Sequence, residues 1–277
     1  MLSENGNRRD KPHVSVLMPS RDPGRFGRIA VESVLRELGP ADEVIIQDAN
    51  STDGWLKELP ADPRVHVVSE RDNGQADALN RALGRASGEW ILWLNADDIV
   101  FPGSLRATEQ LNAYDVIYGG FATIDASGDV IRRFFPDRIT FDRLILRGCL
   151  LFSGSTLFRR DALISIGGFR SDYHYCMDYE LFLRAFSSDL AVTRSPHLIG
   201  ALRIHPDTKT SGVPWEFVKE AARARSEYTT TRRLHLYAAV QRLEHALLVA
   251  STPVRASSLY LRLRRRGDPP DTADLAL

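Results

Sequence analysis

The chain has 277 residues, enough for one large domain or two small ones with a sizeable core. Lys and Arg together number 36, as do Asp and Glu, which excludes a chain built as a nucleic-acid magnet or as an acidic tail. The balance is local: residues 216–266 hold 11 basic and four acidic side chains, whereas the preceding body is mildly acidic.

Two cysteines, Cys149 and Cys176, give neither a disulfide framework nor zinc-ligand spacing and fit a reducing compartment. Residues 1–10 are polar with no apolar core, which reads as no secretory leader. Arg147 and the Arg242/Glu244 pair interrupt the best candidates for a membrane span of about 20 residues. The expectation is a cytoplasmic protein, soluble or peripheral at the inner face of a membrane.

In chain order, His13–Met18 reads as a buried strand, stopped at Pro19 and followed by a polar loop over 20–27. Ile29, Val31, Val34, Leu35 and Leu38 recur near helical spacing until Gly39-Pro40. Val44, Ile45 and Ile46 mark a second strand that ends on Asp48, and 64–69 is a third. Ala76, Leu79, Leu83 and Ala86 share one face of a helix over 73–86, and Trp90–Leu94 is the next strand. Strands alternating with helices at these spacings predict βαβ units and a mostly parallel sheet. After residue 112 the pattern changes. Strands over 115–118, 121–124 and 130–135 flank a hairpin turn at 125–129. Helices are expected over 161–166 and 177–186, strands over 191–194 and 198–204, then a polar loop and helical segments from Pro214 to a last basic helix, 253–266.

Three of the early strands end on polar groups: Ser20 and Asp22, Asp48, and Asp97 with Asp98. Ligands of open α/β sheets sit outside the carboxyl ends of the strands, so one cleft collects all three. Adjacent carboxylates repel, which points to a divalent cation or a proton-transfer role; the plain alternative is an Asp that caps a helix near Pro102. The small polar run 47–54 permits a tight turn in which Asp48 accepts from a nucleobase N–H or a ribose hydroxyl, or in which Ser51-Thr52-Asp53-Gly54 simply caps a short helix. Asp77 and Asn80 share a helical face, with Arg81 placed for an ordinary i, i+4 pair with Asp77.

The order of Val14–Met18 with Pro19, the segment 48–54, Gly74–Asn80 and Trp93–Asp98 resembles glycosyltransferase family 2, of the GT-A fold. The resemblance continues through Gly167-Gly168-Phe169, Met177–Leu181 and Arg203-Ile204-His205, and so covers about residues 13–212. It implies that Asn95-Ala96-Asp97 stands at the family's DXD position, with Asn95 in place of the usual first Asp. Asp97 is then the main ligand of Mg²⁺ or Mn²⁺, supported by Asp98 and His205, and Asp178 is the base that activates an acceptor hydroxyl. Pro19, Ser20, Asp48, Asp77, Asn80, Asn95, Ala96 and Lys209 fall to nucleotide binding. Cys149–Thr156 lies where relatives contact the acceptor. A solvated loop histidine remains the plain reading of His205.

The resulting expectation is an α/β GT-A domain over 13–212 with a flexible start at 1–12, a helical extension over 213–266 and a tail at 267–277. Its activity would be inverting, metal-dependent transfer from a nucleotide-diphosphate sugar, a UDP-sugar favoured, to a carbohydrate or lipid-linked acceptor in surface polysaccharide or glycolipid synthesis, with no nucleic-acid partner. The basic helix suits contact with anionic lipid, a solvated or packing helix being its plain reading. Two rival readings are a non-catalytic nucleotide-sugar binder, favoured by Asn95, and a sugar nucleotidyltransferase. The latter needs a basic glycine-rich loop, of which Ser20–Arg25 has only part.

Overall fold

The computed structural model describes residues 14–105, 113–205 and 215–229. The expected roles of Lys209, the N-terminal segment, the basic helix and the tail lie outside those residues. In chain order the elements are β1 (Val14–Ser20), α1 (Arg25–Leu35), β2 (Glu43–Asp48), β3 (Val65–Ser69), α2 (Gln75–Arg85), β4 (Trp90–Trp93) and β5 (Ile99–Val100). Then follow β6 (Val116–Ile124), β7 (Val130–Phe134), α3 (Phe141–Arg147), β8 (Thr156–Arg159), α4 (Arg160–Ser165), α5 (Met177–Ser187), β9 (Val192–Arg203) and α6 (Trp215–Tyr228).

Among the described residues the strands form one sheet ordered β3-β2-β1-β4-β8-β6-β9-β5, with β7 beside β6. Its first half is parallel, as the alternating pattern predicts. Every residue of β1 is buried, because a central parallel strand is covered on both faces. Val16, Met18, Val44, Ile46 and Leu92 pack there with Ala30, Val31 and Val34 of α1. Register then places the polar ends in a row: Ser20 lies opposite Asp48, and Asp48 opposite Ser69.

The second half is mixed rather than parallel. Four-residue β8 runs antiparallel between β4 and β6 and joins the two halves. The two strands expected over 191–194 and 198–204 are one strand, β9, parallel to β6: Arg194 pairs with Tyr118 and Leu198 with Gly120. The residues between, which include Pro196, are accommodated by the register shift, so the proline that lacks a ladder N–H interrupts the pairing without ending the strand. Antiparallel β5 pairs Ile99 with Ala201 and Val100 with Gly200, which carries the Asp97-Asp98 loop to the end of β9. Gly200 is required at this crossing, since a Cβ there would collide with the backbone carbonyl of Gly154.

Helix α6 packs on α5 and belongs to the same compact unit, which ends at Tyr228. No helix among the described residues is long and apolar enough to cross a membrane.

Candidate active site

The row of strand ends builds the first part of the site. Asp48 is fully buried and accepts five hydrogen bonds. Its Oδ1 takes Ser20 Oγ at 3.0 Å, Ser51 Oγ and Trp55 Nε1 at 3.3 Å, while Oδ2 takes Ser51 N at 2.9 Å and Ser69 Oγ at 2.6 Å. Burial alone would raise the carboxyl, but these donors outweigh it and hold the pKa below the usual range. All the lone pairs of a carboxylate are thereby engaged. Asp48 thereby ties the loop after β2 to the ends of β1 and β3, and Ser20 is drawn into the same network. Asp22 closes the rim, its Oδ1 accepting from Thr52 N at 2.6 Å and Asp53 N at 3.2 Å.

The end of β4 carries the second part. Asn95 is oriented by three bonds: Oδ1 accepts from Trp93 Nε1 at 2.9 Å and Gln75 Nε2 at 2.8 Å, and Nδ2 donates to Asp98 Oδ2 at 3.1 Å. The other oxygen of Asp98 accepts the backbone N–H of Arg203 at 2.9 Å. Asp98 has 0% exposure, and burial together with the adjacent Asp97 pushes its carboxyl well above the usual range against those two donors. Its carboxylate thus faces inward and pins the loop to β9, away from the outward side on which Asp97 is expected to hold a metal. Asp97 instead points outward, with a 30% exposed side chain whose Oδ2 lies 3.2 Å from His205 Nε2.

Arg203, buried at the end of β9, donates from Nε to the Asp97 carbonyl at 2.8 Å and from Nη1 to the Asp125 carbonyl at 3.0 Å. Desolvation lowers its pKa, opposed by Asp98 and Asp97. Phe26 of α1 lies between the two groups from β9 and its end, 4.8 Å from the Arg203 guanidinium and 4.9 Å from the His205 ring. Sequence reasoning missed Phe26 and Gln75, and a single aromatic in a polar loop or an amide at a helix start carries no signal of its own. The metal implied by the fold family fits Asp97 and His205. A carboxylate oxygen and an imidazole nitrogen both suit Mn²⁺ or Mg²⁺, and adjacent ligands of an octahedral ion with bonds of about 2.1 Å stand about 3 Å apart. Among the described residues no group of three or more ligating side chains surrounds a point, so water and phosphate oxygens would complete such a shell.

The third part is the start of α5. Asp178 is half-buried in the first turn, where its Oδ1 accepts from Tyr179 N at 2.7 Å and its Oδ2 lies 3.9 Å from Cys149 Sγ. Crowding around the Cys149 sulfur and the Asp178 carboxylate raise the Cys149 pKa well above the usual range. Cys149, at the start of the segment 149–156, thus lies beside Asp178.

Asn80 and Asp77 both make hydrogen bonds within the fold. The amide of Asn80 clamps the backbone of Phe169, donating to its carbonyl at 2.7 Å and accepting from its N–H at 2.9 Å. Asp77 accepts from Asn73 N, just ahead of α2, at 2.9 Å and forms the plain i, i+4 pair with Arg81 at 2.8 Å. Pro19 and Ala96 are buried backbone positions at the two strand ends.

A parallel sheet that ends on Ser20, Asp48 and Asp97, extended by a mixed half, is the α/β architecture of GT-A proteins. The family model described as glycosyl transferase family 2 matches residues 15–167, and the chain belongs to that family. It is 27% identical over 205 residues to a PGL/p-HBAD biosynthesis glycosyltransferase of Mycobacterium tuberculosis, covering 69% of this chain and 76% of the relative. It is 28% identical over 200 residues to an uncharacterized glycosyltransferase of Rickettsia conorii, covering 65% of this chain and only 33% of that longer protein. Its fold matches S. aureus TarS 1-349 in complex with UDP, with a TM-score of 0.58 at 18% identity over 78% of this chain and 65% of that one. It also matches the mannosyltransferase PcManGT from Pyrobaculum calidifontis in complex with GDP-Man and Mn²⁺, with a TM-score of 0.55 at 18% identity, covering 91% and 83%.

Proposed function

We propose that the chain transfers a sugar from a nucleotide-diphosphate sugar to an acceptor hydroxyl with inversion, using Mg²⁺ or Mn²⁺ and favouring a UDP-sugar. The observation that carries this reading is the outward pair of Asp97 and His205, 3.2 Å apart at a strand end. Relatives solved with UDP, UDP-GlcNAc, and GDP-Man with Mn²⁺ support the donor class and the metal. When bound, the cation neutralises charge on the diphosphate leaving group. Asp97 and His205 hold it, Arg203 fixes the Asp97 backbone, and the Asp48 network shapes the loop against which the nucleoside lies.

Asp178 is the base. Its carboxylate takes the proton of the acceptor hydroxyl as that oxygen forms a bond to the anomeric carbon, and the bond from that carbon to the diphosphate oxygen breaks. Attack from the face opposite the leaving group inverts the centre. A carbohydrate or lipid-linked acceptor fits a role in surface polysaccharide or glycolipid synthesis, which the name of the mycobacterial relative supports. We assign residues 13–212 to catalysis and the basic end of 213–266 to peripheral contact with a membrane; truncation before Pro253 should weaken binding to anionic liposomes.

Calorimetry with UDP, with and without Mn²⁺, tests the reading. Metal-dependent binding that is lost in Asp97→Ala is expected, and binding indifferent to the metal would refute it. Asp178→Asn should keep UDP binding and lower turnover by about 10²–10⁴-fold.

A further inference from the structure

Helix α5 begins without a cap of its own. Its N-cap residue is Cys176, whose side chain makes no capping hydrogen bond. The backbone donors are met from another element. Glu220 of α6 accepts from Tyr175 N at 2.7 Å and Cys176 N at 3.0 Å through Oε2, and from His174 N at 3.0 Å through Oε1. A carboxylate on converging N–H groups at a helix start is among the stronger protein hydrogen-bond arrangements. Those amides hold the Glu220 carboxyl below the usual range although burial works the other way.

The rest of α6 fastens the same turn of α5 from both sides of Asp178. The Phe217 carbonyl accepts from Cys176 Sγ at 3.4 Å, Arg225 Nε donates to Tyr179 Oη at 3.0 Å, and Tyr228 Oη donates to the buried Glu180 at 2.6 Å. Residues 176, 179 and 180 are thus each held by α6, and Asp178 stands among them. The family match ends at residue 167, so neither Asp178 nor Glu220 falls within it.

We propose that Glu220 is a positioning residue for Asp178: by capping the 174–176 backbone from α6 it fixes the first turn of α5 and the direction of the Asp178 carboxylate. The inference rests on the reading of Asp178 as the base. It makes α6 a working part of the site and not an appendage.

The test uses the full chain with Glu220→Ala, Glu220→Gln and Asp178→Asn. Turnover is read as UDP released from whichever UDP-sugar the wild-type protein consumes fastest. Displacing a reacting group by about 1 Å costs up to about a hundredfold, so Glu220→Ala should lower kcat by about tenfold or more with the donor KM and Mn²⁺-dependent UDP affinity unchanged. Acetate should restore part of the loss by occupying the vacated amides, and Glu220→Gln, which keeps one accepting oxygen, should lie between. A second readout needs no sugar. Cys149 is the more exposed residue of the two cysteines and its sulfur faces Asp178, so its alkylation by iodoacetamide should rise about threefold or more in Asp178→Asn and similarly in Glu220→Ala.

Turnover and alkylation in Glu220→Ala within twofold of wild type, beside an inactive Asp178→Asn, would overturn the positioning role alone. Asp178→Asn at the wild-type rate would overturn the base assignment itself. Parallel loss of kcat and UDP affinity without acetate rescue would reduce Glu220 to a structural cap and overturn the proposal. If Glu220→Ala does not fold, Glu220→Gln decides by the same split between kcat and KM.

Discussion

Asp48→Asn isolates what the buried carboxylate does. Two of the five donors to Asp48 are fixed N–H groups, Ser51 N on Oδ2 and Trp55 Nε1 on Oδ1. The three hydroxyls can rotate, but these two cannot. Whichever way an asparagine amide is turned, its NH₂ faces one of the N–H groups. The variant loses one charge-assisted bond and leaves a buried donor unpaired, together about 3 kcal/mol. For a chain of this size that corresponds to a fall in Tm of about 6–12 °C, measurable by calorimetry or circular dichroism and confirmed by urea denaturation.

The pH dependence has a definite sign. Asp48 titrates below its unfolded value, so its contribution is complete above the unfolded pKa of about 3.9 and is lost as pH falls through the folded value. The gap between wild type and Asp48→Asn should therefore be flat above about pH 5 and narrow below it. A Tm within about 2 °C of wild type, or a gap still undiminished at about pH 3, would refute the network as the support of this loop.

Asn80→Ala removes two bonds to the Phe169 backbone and should destabilise by about 1–2 kcal/mol while UDP affinity stays within about twofold; a tenfold loss of affinity would return Asn80 to the nucleotide site. Gly200→Ala drives a Cβ into the Gly154 backbone and should lower the stability measured in urea by about 3 kcal/mol. Gly84→Ala, in α2 with open space around it, should raise the stability measured in the same way by about 0.5–1 kcal/mol. The opposite signs test whether space or glycine content governs these positions.

The sequence by itself determined the parallel half of the fold and the polar strand ends on which the candidate site is built. Runs such as Val44-Ile45-Ile46, the helical spacing of Ala76, Leu79 and Leu83, and the change from apolar to acidic at Asp97 are local patterns, set by burial on two faces and by the helical period. Tertiary structure decided the rest. Strand β8 has four residues, too few to establish a period, and it exists because β4 and β6 offer it two edges. Asp97 and Asp98 look alike in the chain, yet pairing of β5 with β9 sends one inward to Arg203 and the other outward to His205, more than a hundred residues away. Nothing local reveals that Ser69 and Trp55 donate to Asp48, or that the Phe169 backbone pairs with Asn80. Glu220 is the clearest case: one acid on a helix carries no message until folding brings the backbone N–H groups of His174, Tyr175 and Cys176 to it.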